Sequence, residues 1–211
     1  MAAPLPPAGN DAAACDFVVI DVETACARVS SICQIGIVGF GDGGELFSYE
    51  TLLDPCDDFH PINTRIHGIA AHHVIGRPTF AHVHAAIGRH LAGRVTVAHS
   101  SFDKGALAAA CRVHALPEIA TTWLDSVRVA RRAWPDLPNH KLGGLARFLG
   151  IPHRHHDALS DARAAGWVML HAIEQTGLSL ADWLAPPVRR ARAARAAPPA
   201  ATGDSREPPA A

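Results

Sequence analysis

Two acids stand one residue apart where an oily run ends. Asp21 and Glu23 follow Phe17-Val18-Val19-Ile20, and on a strand positions i and i+2 point to the same face. Like charges this close repel, and partial burial makes both costly unless something positive lies between them. Taken alone the pair also fits a solvent-facing strand end. Two further acidic features follow along the chain. AHSSFD, residues 98–103, ends a strand and puts Asp103 at the start of a helix, where the helix dipole alone would favour it. HHDALSDA, residues 155–162, offers Asp157 as a helix N-cap and Asp161 one turn further in, with His156 just ahead. Asp161 lies close to an apolar stripe, where an unpaired carboxylate is expensive. A cation would relieve that cost, and so would an edge position paired with Arg163 or Arg147.

Together the three features fit one chemistry. Asp21, Glu23, Asp103 and Asp161 make a hard oxygen site suited to Mg²⁺ or Mn²⁺. Two such ions about 4 Å apart can clamp the attacking and leaving oxygens of a phosphodiester. A histidine titrates near neutral pH and can take the proton from the attacking water.

The elements that must position these residues read as α/β. Strands are predicted at 17–21, 31–40 and 46–53, the first three able to form a meander, and again at 95–99 and 121–125. Helical spacing covers 80–93 and 102–114, with shorter helices in VRVARRAW and LGGLARFLG. The clearest helix is 157–177, whose stripe is Ala158, Ala162, Ala165, Met169 and Ile173. Early strands followed by alternating helices and strands give a sheet with helices packed on it.

Length and composition suit one domain with tails. The 211 residues are 48% hydrophobic and 18% charged, with a formal net charge of −1, so no global basic field announces a nucleic-acid partner. Residues 1–14 are Ala/Pro-rich and residues 186–211 are Pro, Ala and Arg with almost no large apolar side chain. Both are expected to be disordered tails around a folded domain at 15–185. The arginines between 189 and 195 could touch phosphates, although a solvated tail is the plainer reading. Five cysteines without a CxxC pair argue against a disulfide framework or a structural zinc site. HRHH at 153–156 hints at zinc but lacks cysteine partners at zinc spacing. Other histidines, among them His82, His84, His90 and His171, fall in predicted helices and read as surface or packing residues. No secretory leader and no membrane-length apolar run is apparent, and the expected location is a reducing cytoplasm.

DVET, HSSFD and HHDALSDA, in that order, resemble the three exonuclease motifs of the DnaQ-like 3′–5′ exonucleases with a histidine in the third motif, the DEDDh group. SSICQIGIV and NTRIHGI extend the resemblance to exonuclease and DNA polymerase III epsilon-like proteins, over about residues 16–175. It implies a ribonuclease H-like fold, a five-stranded mixed sheet flanked by helices. It implies two Mg²⁺ (or Mn²⁺) ions on Asp21, Glu23, Asp103 and Asp161, with Asp21 shared by both. His156 would be the general base rather than His155, because H-x-A-x-x-D fits 156–161. Thr24 would help hold the 3′-terminal nucleotide, Ile66 and His67 would lie near its base and sugar, and His99 belongs to the second motif. Phe102 would pack against substrate or core. DVETAC is nearer a subgroup with DFETAN than the common DTETTG, and Ser100 stands where Asn is frequent; neither departure removes a metal ligand. The expected substrates are single-stranded or frayed DNA or RNA 3′ ends, with a polymerase or other protein partner left open and no membrane. The alternative on the same residues is a non-catalytic nucleic-acid-binding or polymerase-associated subunit, and a third is a generic metal phosphodiesterase acting on short oligonucleotides or nucleotides.

Overall fold

The structure is a computed structural model, and it describes residues 15–185. The two expected tails, 1–14 and 186–211, lie outside the described residues. Five strands form one mixed sheet in the order β3-β2-β1-β4-β5. They are β1 (Phe17–Thr24), β2 (Ile32–Gly41), β3 (Gly44–Leu52), β4 (Val95–Ala98) and β5 (Thr122–Asp125). β1, β2 and β3 are the predicted antiparallel meander, and β4 and β5 run parallel to β1. The C-terminal ends of β1, β4 and β5 therefore open on one edge of the sheet. In open α/β sheets that edge is where ligands are bound.

Both sheet faces are covered, so β2 is buried along its whole length and reads as a nearly continuous apolar run rather than an alternation. On one face Phe17, Val19, Val38 and Phe40 pack against α4 (Ser126–Ala133), α5 (Leu142–Leu149) and α6 (Ala158–Thr176). On the other, Val18, Ile20, Ile35 and Ile37 meet Ile87 and Leu91 of α2 (Phe80–Leu91) and Ala106 and Leu107 of α3 (Phe102–Val113). Odd positions of β1 thus run from apolar at Phe17 and Val19 to acidic at Asp21 and Glu23, all facing the α6 layer.

The predicted strands and helices are present with shifts of a few residues at their ends. A short α7 (Leu180–Leu184) and a 3₁₀ turn (Ala71–His73) are additional. So is α1 (Pro61–His67), in the segment that the resemblance placed near the substrate. It buries none of its residues, so no apolar period marks it. Its signals are Pro61 at the first position and Gly68 as a left-handed cap, φ 78°. Among the described residues no helix is long and apolar enough to cross a membrane. All five cysteines are free.

Candidate active site

The site begins with the way α6 is seated. In the β1–β2 register Asp21 lies opposite Gly36 and Glu23 opposite Gln34. A Cβ on Gly36 would fall 2.4 Å from the carbonyl carbon of Ala158 and the nitrogen of Leu159, so only glycine lets the start of α6 rest on the strand. Gln34 completes the seat. Its Oε1 accepts the N–H of Ala158 at 3.2 Å while its Nε2 donates to Glu50 at 2.8 Å. Asp157 caps the helix by accepting the N–H of Ser160 at 3.0 Å. The first turn of α6 therefore stands beside Asp21 and presents Asp161.

Asp161 is buried, 5% exposed, inside the apolar stripe rather than at its edge. Neither arginine pairing holds. Arg163 makes a two-pronged ion pair with Glu45 at 2.6 and 2.9 Å, and Arg147 bonds the carbonyl of Gly143. Instead Asp161 Oδ1 accepts from His153 Nε2, and Oδ2 accepts the backbone N–H of His156 at 3.1 Å. Asp103 sits in the first turn of α3, as expected, and is buried at 4% exposure. Its Oδ1 accepts the N–H of Val22 at 3.1 Å, which ties α3 to β1 between the two acids.

All ten residues singled out from the sequence line one cleft of about 300 Å³: Asp21, Glu23, Thr24, Ile66, His67, His99, Phe102, Asp103, His156 and Asp161. Val22, Asn63 and Ser100 complete its wall. The acids burden one another. Burial, then repulsion from Asp103, Asp161 and Glu23, pushes Asp21 well above the ordinary carboxylate range. Burial, then Asp161 and Asp103, pushes Glu23 up to about 8. Burial also lifts Asp103 to about 7, against the opposing pull of backbone N–H groups. One oxygen or ring nitrogen from each of Glu23, His156 and Asp161 falls within 4.8 Å of the others, a spacing that could hold a metal ion.

The histidines differ in what they have left to offer. His67 donates from Nε2 to the carbonyl of Thr24 at 3.2 Å and accepts the N–H of Ile69 on Nδ1 at 3.0 Å. With Asn63, which donates to the same carbonyl at 2.9 Å, it clamps α1 to the end of β1. His99 is likewise engaged at both nitrogens, by Ser126 at 2.9 Å and the carbonyl of His140 at 3.0 Å. Because a carbonyl only accepts, Nε2 of each ring carries the proton. Burial holds both rings below the ordinary imidazole value. His156 is freer. Its Nδ1 lies 4.0 Å from Glu23 Oε1, and its backbone is left-handed at φ 63°. Burial, then the neighbouring His155, keeps its ring below the ordinary value. His155 stacks on it with centroids 3.7 Å apart and is not part of the cleft wall. Ile66 and Phe102 are 48% and 43% exposed at the cleft, so Phe102 does not belong to the core.

Residues 18–169 match the exonuclease family RNase_T. The chain belongs to this family. The chain is 31% identical over 154 residues to the PolC-type DNA polymerase III of Streptococcus thermophilus, and 32% identical over the same length to that of Streptococcus agalactiae. Each match covers 71% of this chain but 10% of the polymerase, so the chain spans about a tenth of the length of those relatives. Among solved structures it resembles Exonuclease X in complex with 5′ overhanging duplex DNA, with TM-score 0.67 and 21% identity, covering 80% of this chain and 97% of that one. It also resembles the nuclease domain of 3′hExo, a DEDDh family member bound to rAMP, with TM-score 0.66 and 18% identity, covering 77% and 94%. These likenesses establish the ribonuclease H-like fold.

Two further residues bear on the site without being marked by motif or spacing. Asn63 is one; within NTRIHGI nothing in its type marks it as the clamp on Thr24. His153 is the other. It lies inside HRHH, where clustered histidines suggest zinc and nothing local marks the acid eight residues on as its partner. Of the helical histidines, His82 bonds Thr79, His84 bonds the carbonyl of Pro117, and His90 packs on Phe47 and Tyr49. His171 pairs with Glu174 at 3.9 Å. All four serve packing or the surface, as expected.

Proposed function

We propose that residues 15–185 form a cytoplasmic, metal-dependent 3′–5′ exonuclease domain. It hydrolyses terminal phosphodiesters of single-stranded or frayed DNA or RNA and releases nucleoside monophosphates. The observation that carries this reading is the convergence of four carboxylates from β1, α3 and α6 in one cleft, three of them raised by burial and mutual repulsion. A cluster with this donor set fits hard divalent cations. Asp21, Glu23, Asp103 and Asp161 would hold two Mg²⁺ or Mn²⁺ ions, which when bound supply charge stabilisation to the attacking and leaving oxygens.

The chain's own residues do the rest. His156 takes the proton from the attacking water. Its ring lines the cleft beside Glu23, and a ring held below the ordinary imidazole value is neutral and able to accept at neutral pH. Thr24, Ile66 and His67 receive the terminal nucleotide, with Ile66 and Phe102 offering exposed apolar surface to a base. His99, locked at both nitrogens, acts as a rigid wall. Support for a nucleic-acid end as substrate comes from the DNA and rAMP in the two similar structures. The PolC-type relatives support association with a polymerase.

The test is a time course on 5′-labelled single-stranded DNA and RNA with Mg²⁺ or Mn²⁺, with chelator, and with the Asp21→Ala protein. A metal-dependent ladder shortening from the 3′ end, lost in the variant, is the expected result. Binding without cleavage would favour a non-catalytic subunit, and turnover by Asp21→Ala would end the proposal.

A further inference from the structure

We propose that His153 is a positioning residue, which sets the orientation of the Asp161 carboxylate for the cation that Asp161 binds. The inference rests on the reading of Asp161 as a metal ligand. Asp161 is held on both oxygens from a single loop, by His153 Nε2–H on Oδ1 and by the His156 N–H on Oδ2. A carboxylate bonded at both oxygens cannot rotate without losing a bond. Each oxygen still keeps a lone pair for a cation.

The His153 side chain is as buried as its partner, 7% against 6% exposed. Its ring sits beside α5, where a Cβ on Gly143 would lie 3.8 Å from Cε1. The loop that carries it is tied to the first turn of α6. The N–H of Arg154 donates to Ser160 Oγ at 2.8 Å, and the Arg154 guanidinium lies 3.4 Å from Asp157. An imidazole buried at this cost of desolvation needs a polar partner. The partner it has is the acid the chemistry requires. Hydrogen-bond partners of metal ligands fix ligand geometry, and losing one typically weakens metal binding by about 10- to 100-fold.

The test measures Mn²⁺ affinity of the full chain by calorimetry, with turnover of a labelled oligonucleotide alongside, for wild type, His153→Ala, His153→Gln, His153→Asn and Asp161→Ala. Gln places an N–H donor at about the reach of Nε2, whereas Asn falls short. The expected result is an affinity loss of about 10- to 100-fold in His153→Ala and in His153→Asn. Gln should recover most of it, and saturating Mn²⁺ should recover most of the lost turnover. If His153→Ala fails to fold, the contrast between Gln and Asn carries the test. Wild-type affinity in the Ala or Asn variant, with Asp161→Ala impaired, overturns the role of His153 alone. Equal loss in Gln and Ala also overturns it, because His153 would then be a direct ligand in the group it forms with His155 and Asp161. Wild-type affinity in Asp161→Ala instead overturns the metal-site reading and His153's role with it.

Discussion

His156 acts through two different atoms. Its backbone N–H, turned inward by a left-handed φ of 63°, holds Asp161, while its ring faces Glu23 and the cleft. Histidine tolerates that conformation better than most residues. The two jobs are separable by mutation, because His156→Ala keeps the N–H and removes the ring. Turnover at saturating metal should fall by about 10²- to 10⁴-fold, the usual worth of a general base, while Mn²⁺ affinity stays close to wild type. Parallel calorimetry and single-turnover kinetics check this; equal losses in both would assign the ring to metal binding instead. The four acids and His156 were legible as residue types at motif spacing. The partners of Asp161 were not. Arg163 and Arg147 were the partners its sequence surroundings suggested, yet Arg163 reaches across to Glu45 of β3 and Arg147 turns back on its own helix. A pairing inferred from charge alone fails when the helix face points the side chain elsewhere.

The element that aligns the chemistry is the joint between β2 and the start of α6. Gly36 and Gln34 are the strand residues opposite Asp21 and Glu23, and both touch the helix. Gly36→Ala would force backbone against backbone, with no flexible side chain to give way. We expect a loss of about 1–3 kcal/mol or more in unfolding free energy, the range for overpacking. Turnover should fall further than stability explains, because Asp161 moves with the helix. Denaturant unfolding and kinetics on the same preparation check this; wild-type turnover in the variant would show that the joint does not set the site. Strong apolar period made β1, β2 and α6 readable from sequence. α1 was not readable that way, since it buries no residue and is held by Asn63 and His67 on the carbonyl of Thr24.

Across the protein, charge is nearly balanced at −1, yet acids are concentrated at one sheet edge, and this should govern stability. Unfolded carboxylates titrate near 4, whereas in the fold Asp103 is raised to about 7 and Glu23 to about 8, with Asp21 raised as well. Between those limits the folded state binds more protons than the unfolded, so stability falls as pH rises. His67, His90, His99 and His156 are shifted down and act oppositely, but their effect is complete once the unfolded value near 6.5 is passed. From about pH 7 to about 8 the acids alone remain. The Tm in chelator should therefore drop over that interval, and Mg²⁺ or Mn²⁺ should remove the drop by replacing protons on the ionised acids. Thermal melts across pH, with and without metal, check this. A flat profile in chelator, or an unchanged drop with metal, would count against the acids as a cation site.

What could be read along the chain was what each segment carries locally: alternating or continuous apolar runs that make strands, a helical stripe from Ala158 on, and three acidic motifs in the order of a DnaQ-like exonuclease. Those follow from side-chain type and period, which are local properties. What required the folded chain was convergence. Asp103 meets Val22 across 81 residues of sequence, and Ala158 docks on Gln34 across 124. Such contacts depend on strand order, register and helix seating together, and no single segment encodes any of the three.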